Sequence, residues 1–530
     1  MARLNWQIEQ ENRPPLRGGT DIVPGACRVR VPLPGGALRR VRAQMHVNME
    51  AGDRAFFNGY QSWTWCPELR REDRLSGIGP LPKAVIEYFG LRRYGDYAFA
   101  SYRNKPGFFH GESYCYFRRG ESFRLIASLD ERMGYTVFSY DAGSHILDIE
   151  RDCAGLFWPG GDFPAFELFF AEGPEDAVFD AWFAAVGVRP RTREPLAGYT
   201  SWYNRYEAIS EESICRDLVG SIGQLQEGDL FQIDDGWESA VGDWLEPDRR
   251  KFPGGMGAMA DAIHKSGYRA GLWLAPFVAR RSSALFRQHP DFFLQEKGRP
   301  LYCGCNWGGF YALDFDRREV RDYLVRVFER VFGDWGYDLV KLDFLYAAAP
   351  FGSREETRAG RMLRAMELLR ELCGEKLILG CGVPLMPAFG LVDYCRIGCD
   401  VTLDWDDKPY RRGSVRERPS TRQSLENSVF RRQLNGRAWL NDPDVFYLRE
   451  ENLRLSGEQK RILAAVNALF GGVLFHSDNM GDYGPAARED YLRLRRLRDA
   501  ERIRVEADSG LAVSYVLDGR EQRLIIKQQK

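Results

Sequence analysis

The central part of the chain alternates short apolar runs with longer segments of helical period, and this alternation limits the folds open to it. Eight of the runs have the length and composition of buried strands. They span residues 198–202, 230–234, 269–273, 338–343, 376–381, 394–398, 437–441 and 472–476. Runs of this kind, separated by helical segments, are typical of parallel β-strands connected by α-helices.

Residues 318–332 show the helical period most clearly, because their apolar side chains recur three and four positions apart. Similar patterns occur at residues 210–226, 354–372 and 452–470. Eight strand–helix units over about 290 residues predict a (β/α)8 barrel. A doubly wound sheet is the main alternative, although it rarely needs eight strands.

The two ends of the chain lack this alternation. Residues 1–188 contain short strand-like segments bounded by Gly, Pro or Asp, including 27–31, 43–47, 123–128 and 144–149. Two prolines and a charge cluster make residues 189–195 a linker. We therefore expect an α/β protein with three parts: an N-terminal β-sandwich domain at 1–188, the barrel at 189–480, and a small C-terminal β domain at 481–530 with strands at 511–517 and 523–527.

The charge balance excludes some classes of partner. The chain has 74 Lys and Arg against 75 Asp and Glu and no basic run, so neither nucleic acid nor a membrane is an expected partner. Residues 1–16 lack the apolar region of a signal peptide. The eleven cysteines are scattered and odd in number, which favours reduced thiols and a soluble, cytoplasmic protein. Whether the chain forms a homo-oligomer is left open.

Polar and aromatic side chains follow most of the predicted strands. Asp234 and Asp235 end the second strand, Asp343 ends the fourth, Asp400 follows the sixth and Trp273 ends the third. A single aspartate after a strand is most often a helix N-cap or a turn residue. A ring of carboxylates with tryptophans, at the end of a barrel where active sites lie, instead indicates an uncharged, polyhydroxylated ligand such as a sugar. No metal-ligand spacing or phosphate-binding loop occurs in the sequence, so no metal or cofactor is expected.

Several short motifs, taken in order along the chain, support a closer identification. They are Asn58-Gly59-Tyr60-Gln61-Ser62-Trp63, Phe231-Gln232-Ile233-Asp234-Asp235-Gly236-Trp237, Gly242-Asp243-Trp244, Lys251-Phe252-Pro253, Gly271-Leu272-Trp273-Leu274-Ala275-Pro276, Lys341-Leu342-Asp343-Phe344-Leu345, Leu379-Gly380-Cys381-Gly382, Arg396-Ile397-Gly398-Cys399-Asp400 and Trp439-Leu440-Asn441-Asp442-Pro443-Asp444. Together they resemble glycoside hydrolase family 36, in its compact bacterial α-galactosidase form. The resemblance covers most of the chain.

This resemblance implies a retaining α-galactosidase that hydrolyses terminal, non-reducing α-galactosides of oligosaccharides. The reaction would be a double displacement through a covalent glycosyl-enzyme. Asp343 would be the nucleophile and Asp400 the acid/base. Lys341 lies two residues before Asp343 on the same strand face, so its charge is expected to lower the pKa of that carboxyl.

The resemblance also implies which residues bind the sugar. Asp234 and Asp235 would bind O4 and O6 of galactose, and a buried carboxylate left unpaired by glucose would give the preference for galactose. The other implied contacts are Lys341 beside O3 and O4, Cys381 and Arg396 around O2, and walls made by Trp202, Tyr203, Trp273 and Trp63. For Trp63 the alternative is an anchor between domains, and for Cys381 a small buried residue of the barrel.

Two further activities fit the same scaffold, an α-N-acetylgalactosaminidase and an α-galactosyl transglycosylase. Room for an acetamido group around Cys381 and Arg396 would favour the first of these. A non-catalytic sugar-binding protein is a third alternative, which the presence of both catalytic carboxylates disfavours. Asp404 departs from the family pattern and lies close in sequence to the proposed acid, which leaves the aglycone side open.

Overall fold

The computed structural model describes residues 3–406, 415–507 and 510–526. None of the helices in these ranges is long and apolar enough to cross a membrane. Two large hydrophobic cores are present, one in the N-terminal sheets and one that fills the central barrel and reaches into the N-terminal part.

The central sheet is parallel throughout and closes on itself. Its segments are Leu196–Thr200, Leu230–Ile233, Arg269–Leu274, Leu339–Leu342, Leu377–Gly380, Tyr394–Arg396, Leu440–Asp442, Val445–Phe446 and Val473–His476. Pro443 has no N–H for the ladder and divides the seventh strand in two, so the nine segments form eight strands. Each of the eight strand predictions overlaps one of these, and the predicted TIM-like barrel is confirmed.

Helices follow most of the barrel strands. They are Glu211–Ser221, Met256–Lys265, Arg318–Glu329, Arg358–Cys373, Thr421–Phe430, Gly457–Phe470 and Pro485–Leu497. Ser210 and Ser456 begin two of them with reciprocal capping boxes, which satisfy free N–H groups of the first turn. The fifth strand is followed by only the short 3₁₀ turn Met386–Ala388.

Two antiparallel sheets occupy the N-terminal part. The first contains Arg3–Gln10, Leu16–Asp21, Gly36–His46, Phe108–Glu112, Thr136–Asp141, Ile146–Arg151 and Phe157–Trp158. The second contains Gly25–Leu33, Arg54–Phe57, Glu68–Leu69, Tyr114–Arg119, Ser122–Ser128 and Gly161–Pro174. Both sheets contribute side chains to one core, including Leu4, Val29, Phe138 and Leu168. The helix Glu175–Val186 packs on the second sheet and corrects the expectation of an almost helix-free N-terminal part.

The C-terminal part also differs from expectation. Beside the predicted strand Leu511–Leu517 lie Glu501–Glu506 and Arg520–Ile526, and Lys527 of the second predicted strand is outside the described residues. The helix Pro485–Leu497, which was not predicted, packs against Gly457–Phe470.

The N-terminal part is joined to the barrel by a buried loop at residues 58–63. Arg431, which is fully buried, donates hydrogen bonds to Asn58 Oδ1 at 3.0 Å and to the carbonyl oxygens of Gly59, Gln61 and Ser62 at 3.2, 3.1 and 2.7 Å. The N–H of Ser62 donates to the carbonyl of Val383 at 2.9 Å. These bonds fix the backbone that carries Trp63 against the carboxyl ends of the barrel strands.

Candidate active site

A cavity of about 620 Å³ opens at the carboxyl ends of the barrel strands. Eight of the predicted site residues line it together: Trp63, Trp202, Asp234, Asp235, Trp273, Lys341, Asp343 and Asp400. The remaining three, Tyr203, Cys381 and Arg396, are buried directly behind this lining and bond to residues in it or beside it. The structure therefore brings the predicted residues to one place, from seven different segments of the chain.

Asp234 and Lys341 form a buried ion pair on the cavity floor. Nζ of Lys341 lies 2.9 Å from Asp234 Oδ2, which also accepts from Gln232 Nε2 at 2.8 Å and Thr200 Oγ1 at 3.2 Å. Burial is the largest single influence and would lower the pKa of Lys341, but the charge of Asp234, together with Cys381 and Asp343, outweighs it and raises that pKa. Lys341 is therefore held as a cation, with its hydrogen bond directed to Asp234 and not to Asp343.

Asp343 ends the fourth strand and is held by two donors. Trp273 Nε1 lies 3.1 Å from Asp343 Oδ2, and the N–H of Phe344 lies 2.8 Å from Oδ1. Phe344 adopts the left-handed region (φ 53°), an uncommon conformation for a residue other than glycine, and the chain turns sharply after it. Burial raises the pKa of Asp343, Lys341 opposes that rise, and Asp400 adds to it. Lys341 thus acts in the expected direction, but burial outweighs it and the net change is upward.

Asp235 accepts a hydrogen bond from a residue that was not predicted. Nε1 of Trp307 lies 2.8 Å from Asp235 Oδ2, and the backbone of Trp307 is left-handed (φ 53°, ψ 26°). Burial and the neighbouring carboxyl of Glu238 raise the pKa of Asp235 well above its usual range. The pKa of Glu238 is also raised by burial, so the two carboxyls hold a proton between them.

Asp400 lies nearer the mouth of the cavity than Asp343 and bonds to Arg396. Arg396 Nη2 lies 2.9 Å from Asp400 Oδ1 and 2.9 Å from Tyr203 Oη. The same guanidinium also pairs with the buried Asp444, which accepts from the Tyr203 hydroxyl and, at 2.8 Å, from the Val401 N–H. Burial raises the pKa of Asp444 to about 7, against the opposing charge of Arg396 and with a further rise from Asp400.

Trp63 and Cys381 close one side of the cavity. Trp63 Nε1 donates to Cys381 Sγ at 3.3 Å, and a Cβ placed on Gly382 would meet the Trp63 ring at 2.9 Å. Trp63 packs edge-on against Phe344, which follows the proposed nucleophile. Trp63 is therefore both a wall of the cavity and a contact between the N-terminal part and the barrel. Burial raises the pKa of Cys381 well above its usual range, so this thiol is neutral.

Asp404 bonds to residues of its own loop. Its Oδ1 accepts from the Thr402 hydroxyl and from the N–H of Asp406, both at 3.2 Å. Cys303 is buried, whereas Cys305 is half-buried and lines the cavity beside Asn306. All eleven cysteines lie within the described residues, and all are free thiols.

Three residues of the site were not predicted: Trp307, Glu238 and Asp444. Trp307 and Asp444 bond to predicted residues that are distant from them in sequence, whereas Glu238 lies three residues after Asp235. Asp444 belongs to the motif at residues 439–444, but a polar residue after a strand is not by itself distinguishable from a turn residue.

A barrel that gathers paired carboxylates, tryptophans and a lysine at its strand ends defines the class of barrel glycoside hydrolases. A family model described as Melibiase matches residues 204–366. Together with the relatives described next, this match confirms the resemblance to glycoside hydrolase family 36.

Two curated relatives are α-galactosidases. Mel36A of Lactobacillus acidophilus is 33% identical over 150 residues, which are 27% of this chain and 20% of that protein. AgaA of Geobacillus stearothermophilus is 30% identical over 170 residues, 31% of this chain and 22% of that protein. The matches thus span about a fifth of the length of these curated relatives.

A solved structure is similar over nearly the whole chain. It is TtGalA, an α-galactosidase from Thermus thermophilus in complex with p-nitrophenyl α-D-galactopyranoside. It is 29% identical, the match covers 93% of this chain and 98% of that chain, and the TM-score is 0.73. The family 36 α-galactosidase AgaA from Geobacillus stearothermophilus, at 15% identity and a TM-score of 0.60, shares the fold.

Proposed function

We propose that the protein is a retaining α-galactosidase that hydrolyses terminal α-galactosides, including those of oligosaccharides. The observation that carries this proposal is the arrangement of Asp343 and Asp400 around one cavity, with the Asp234–Lys341 pair on its floor. The likeness to Thermus thermophilus TtGalA over nearly the whole chain supports the same activity.

In the first step, an oxygen of the Asp343 carboxylate attacks the anomeric carbon, and the bond from that carbon to the aglycone oxygen breaks. Asp400 gives its proton to the departing oxygen, so the aglycone leaves as an alcohol. In the second step, Asp400 takes a proton from water, the water oxygen attacks the anomeric carbon, and Asp343 is released. Two inversions give net retention.

The environments of the two carboxyls support these roles. Asp343 is enclosed and held by the Trp273 and Phe344 N–H groups, which orient it for attack. Asp400 is the more exposed of the two, with a side chain 38% accessible, which suits a group that exchanges protons with water. Because burial raises the pKa of Asp343 and only the ionised form attacks, activity is lost on acidification at a higher pH than for an ordinary aspartate.

Asp234 and Asp235 support a preference for galactose. Both are buried carboxyls that line the cavity, held by Lys341 and Trp307 respectively. A sugar without matching hydroxyls forgoes its hydrogen bonds to them, which are worth about 1–3 kcal/mol each. The contact between Trp63 and Cys381 closes the side on which O2 would lie, which argues against room for an acetamido group. The second candidate activity is that of an α-N-acetylgalactosaminidase. It is supported by a relative from Flavonifractor plautii, named A type blood α-D-galactosamine galactosaminidase, which is 34% identical over 142 residues.

The test is a comparison of p-nitrophenyl α-galactoside, α-N-acetylgalactosaminide and α-glucoside as substrates. We expect kcat/KM for the galactoside to exceed the other two by about a hundredfold or more. Asp343→Ala should lose most of the rate with p-nitrophenyl α-galactoside, and Asp400→Ala should lose most of the rate with methyl α-galactoside, whose leaving group needs a proton. The exposed Asp482→Asn serves as a matched control. A faster acetamido substrate would favour the second candidate, and no cleavage of any of the three would exclude a hydrolase. Product analysis in the presence of excess melibiose as an acceptor would distinguish transfer of the galactosyl group to a sugar from its transfer to water.

We also propose three structural units that serve this function. The N-terminal sheets form a β-sandwich domain that supplies Trp63 to the site, the barrel carries the chemistry, and the C-terminal strands form a small β appendage. The cytoplasmic location and any homo-oligomer stay predictions.

A further inference from the structure

The mouth of the cavity has an apolar wall, formed by Leu81, Val85, Phe89, Leu91 and Val415. Val85 belongs to the helix Lys83–Tyr88, Leu81 lies just before this helix and Phe89 is its C-cap. These three residues line the cavity and are called the apolar stripe. On another face, Ile86 packs with Ile78 and Tyr97 in a small buried cluster. The helix is thus anchored from behind, while its apolar stripe faces the cavity.

Polar contacts attach the wall to the barrel. Its residues Leu81, Leu91 and Val415 also pack against the small buried cluster, whereas Val85 is half-buried and Phe89 is 44% exposed. The Tyr94 hydroxyl donates to Asn306 Oδ1 at 2.6 Å, and the Tyr302 hydroxyl donates to the carbonyl of Tyr88 at 2.7 Å. Gly90, in the left-handed region (φ 65°), packs so closely that a Cβ would lie 2.4 Å from the Cys303 carbonyl oxygen. An apolar stripe that served only to dock the two parts would be covered by the barrel, and this one lines the cavity instead.

Two polar side chains beside the wall are already bonded within the protein. Glu417 accepts from the hydroxyls of Thr64 and Tyr97 at 2.8 and 2.7 Å. Arg418 forms a two-pronged pair with Asp406 at 2.6 and 2.7 Å. Among the described residues, a sugar hydroxyl at Glu417 or Arg418 would compete with these partners, whereas an apolar group on the wall gives up no hydrogen bond there.

We propose that this wall is a binding site for an apolar aglycone, so that the preferred substrates are α-galactosides of alkyl or aryl alcohols. The inference rests on the proposed function and names its substrate class. The aglycone oxygen must reach Asp400, which lies nearer the mouth than Asp343, and the group attached to that oxygen therefore extends along the wall. A cavity continuous from Asp343 to Phe89 provides the path.

The experiment compares methyl, butyl and octyl α-D-galactosides with melibiose, by kcat/KM at one pH. Each fully buried methylene contributes about fourfold, so half-burial of the three added carbons predicts a gain of about tenfold for butyl over methyl. The octyl galactoside should have a higher kcat/KM than the butyl galactoside. The kcat/KM of melibiose should exceed that of the methyl galactoside by a smaller factor than the butyl galactoside does. Cleavage of methyl α-galactoside tests the proposed function by itself, whereas the dependence on chain length tests the apolar site.

The variant Val85→Ser/Phe89→Ser removes two half-exposed or exposed members of the stripe, and neither lies in a core cluster. We expect the octyl-to-methyl ratio of kcat/KM to fall at least about tenfold in this variant. The matched control is Val219→Ser/Ile222→Ser, which removes two apolar side chains that are 67% and 57% exposed and lie away from the cavity. It should keep the wild-type ratio.

A wild-type ratio near one, or an unchanged ratio in Val85→Ser/Phe89→Ser, would overturn the proposal. Sedimentation of the same proteins measures their oligomeric state and tests whether a second copy of this chain, instead of an aglycone, occupies the apolar stripe. If the wild type is an oligomer that only Val85→Ser/Phe89→Ser dissociates, the stripe is an interface between copies and the proposal is wrong. If no galactoside is cleaved, including methyl α-galactoside, both the proposed function and the proposed apolar site are wrong.

Discussion

Arg396 binds two carboxyls at once, Asp400 at 2.9 Å on the cavity side and Asp444 on the buried side. Asp444 thereby helps to fix the guanidinium that holds Asp400 in place. We therefore assign Asp444 as a positioning residue behind the acid/base, whose pKa of about 7 lies within the working range of pH.

Replacing Asp444 by Asn tests this arrangement. The guanidinium of Arg396 then loses its buried carboxylate partner, and Asp400 is held less well for proton transfer. We expect kcat/KM for methyl α-galactoside to fall about tenfold. A p-nitrophenyl substrate needs little protonation of its leaving group and should lose much less. Equal losses with both substrates, or no loss with the methyl substrate, would contradict the role of Asp444.

Only part of the site could be predicted from the sequence. Asp234, Asp235, Asp343 and Asp400 follow strands, so barrel geometry alone brings them together. The bond from Trp307 to Asp235 joins residues far apart in sequence and depends on a left-handed backbone that no local pattern specifies. Such contacts become visible only once the loops are placed.

At the scale of elements, the barrel strands were predictable because each is a short buried run between longer amphipathic segments. The helix Glu175–Val186 was missed because it follows Pro174 without a side-chain cap and continues directly from a strand. The helix Pro485–Leu497 was missed because most of its surface is charged and few of its residues are buried. In both, tertiary packing stabilises a helix that the local sequence marks weakly.

The contact between the first two barrel strands gives a prediction at this scale. Gly198 has φ 155°, and a Cβ there would lie 1.9 Å from the Leu230 carbonyl oxygen, a backbone atom that cannot move aside cheaply. Gly198→Ala should therefore lower the free energy of unfolding by about 3 kcal/mol or more, measured by denaturant titration. Gly333→Ala, where the Cβ meets nothing within 4 Å, is the control and should be near neutral. Equal stabilities of the two variants would refute this reading of the strand contact.

At the scale of the whole molecule, the catalytic site depends on both the barrel and the N-terminal part. Arg431 binds the loop that carries Trp63 through four acceptors of that loop and the Ile397 carbonyl at 2.9 Å. The sequence motif at residues 58–63 indicated a link to the site, but the partner of that motif, more than 360 residues away, was not predictable.

Removing this link should weaken both stability and substrate binding. Arg431→Met leaves buried acceptors unpaired, so we expect a loss of about 3–5 kcal/mol in the free energy of unfolding and a raised KM as Trp63 shifts. Arg437→Met is the matched control, since its ion pairs with Asp176 and Asp180 involve exposed carboxyls and are worth about 1 kcal/mol at most. Thermal unfolding and steady-state kinetics on both variants provide the measurement. A KM that stays at the wild-type value in Arg431→Met would show that the link does not serve the site.

If Asp343 forms a covalent bond to the anomeric carbon, azide should replace it in the variant Asp343→Gly. The assay uses p-nitrophenyl α-galactoside with and without azide. We expect the variant to be almost inactive alone and azide to restore its rate, with β-galactosyl azide as the product, because azide enters the space left by the carboxylate on the opposite face of the sugar. An α-azide product, or an Asp343→Gly variant that keeps the wild-type rate without azide, would contradict this covalent role of Asp343.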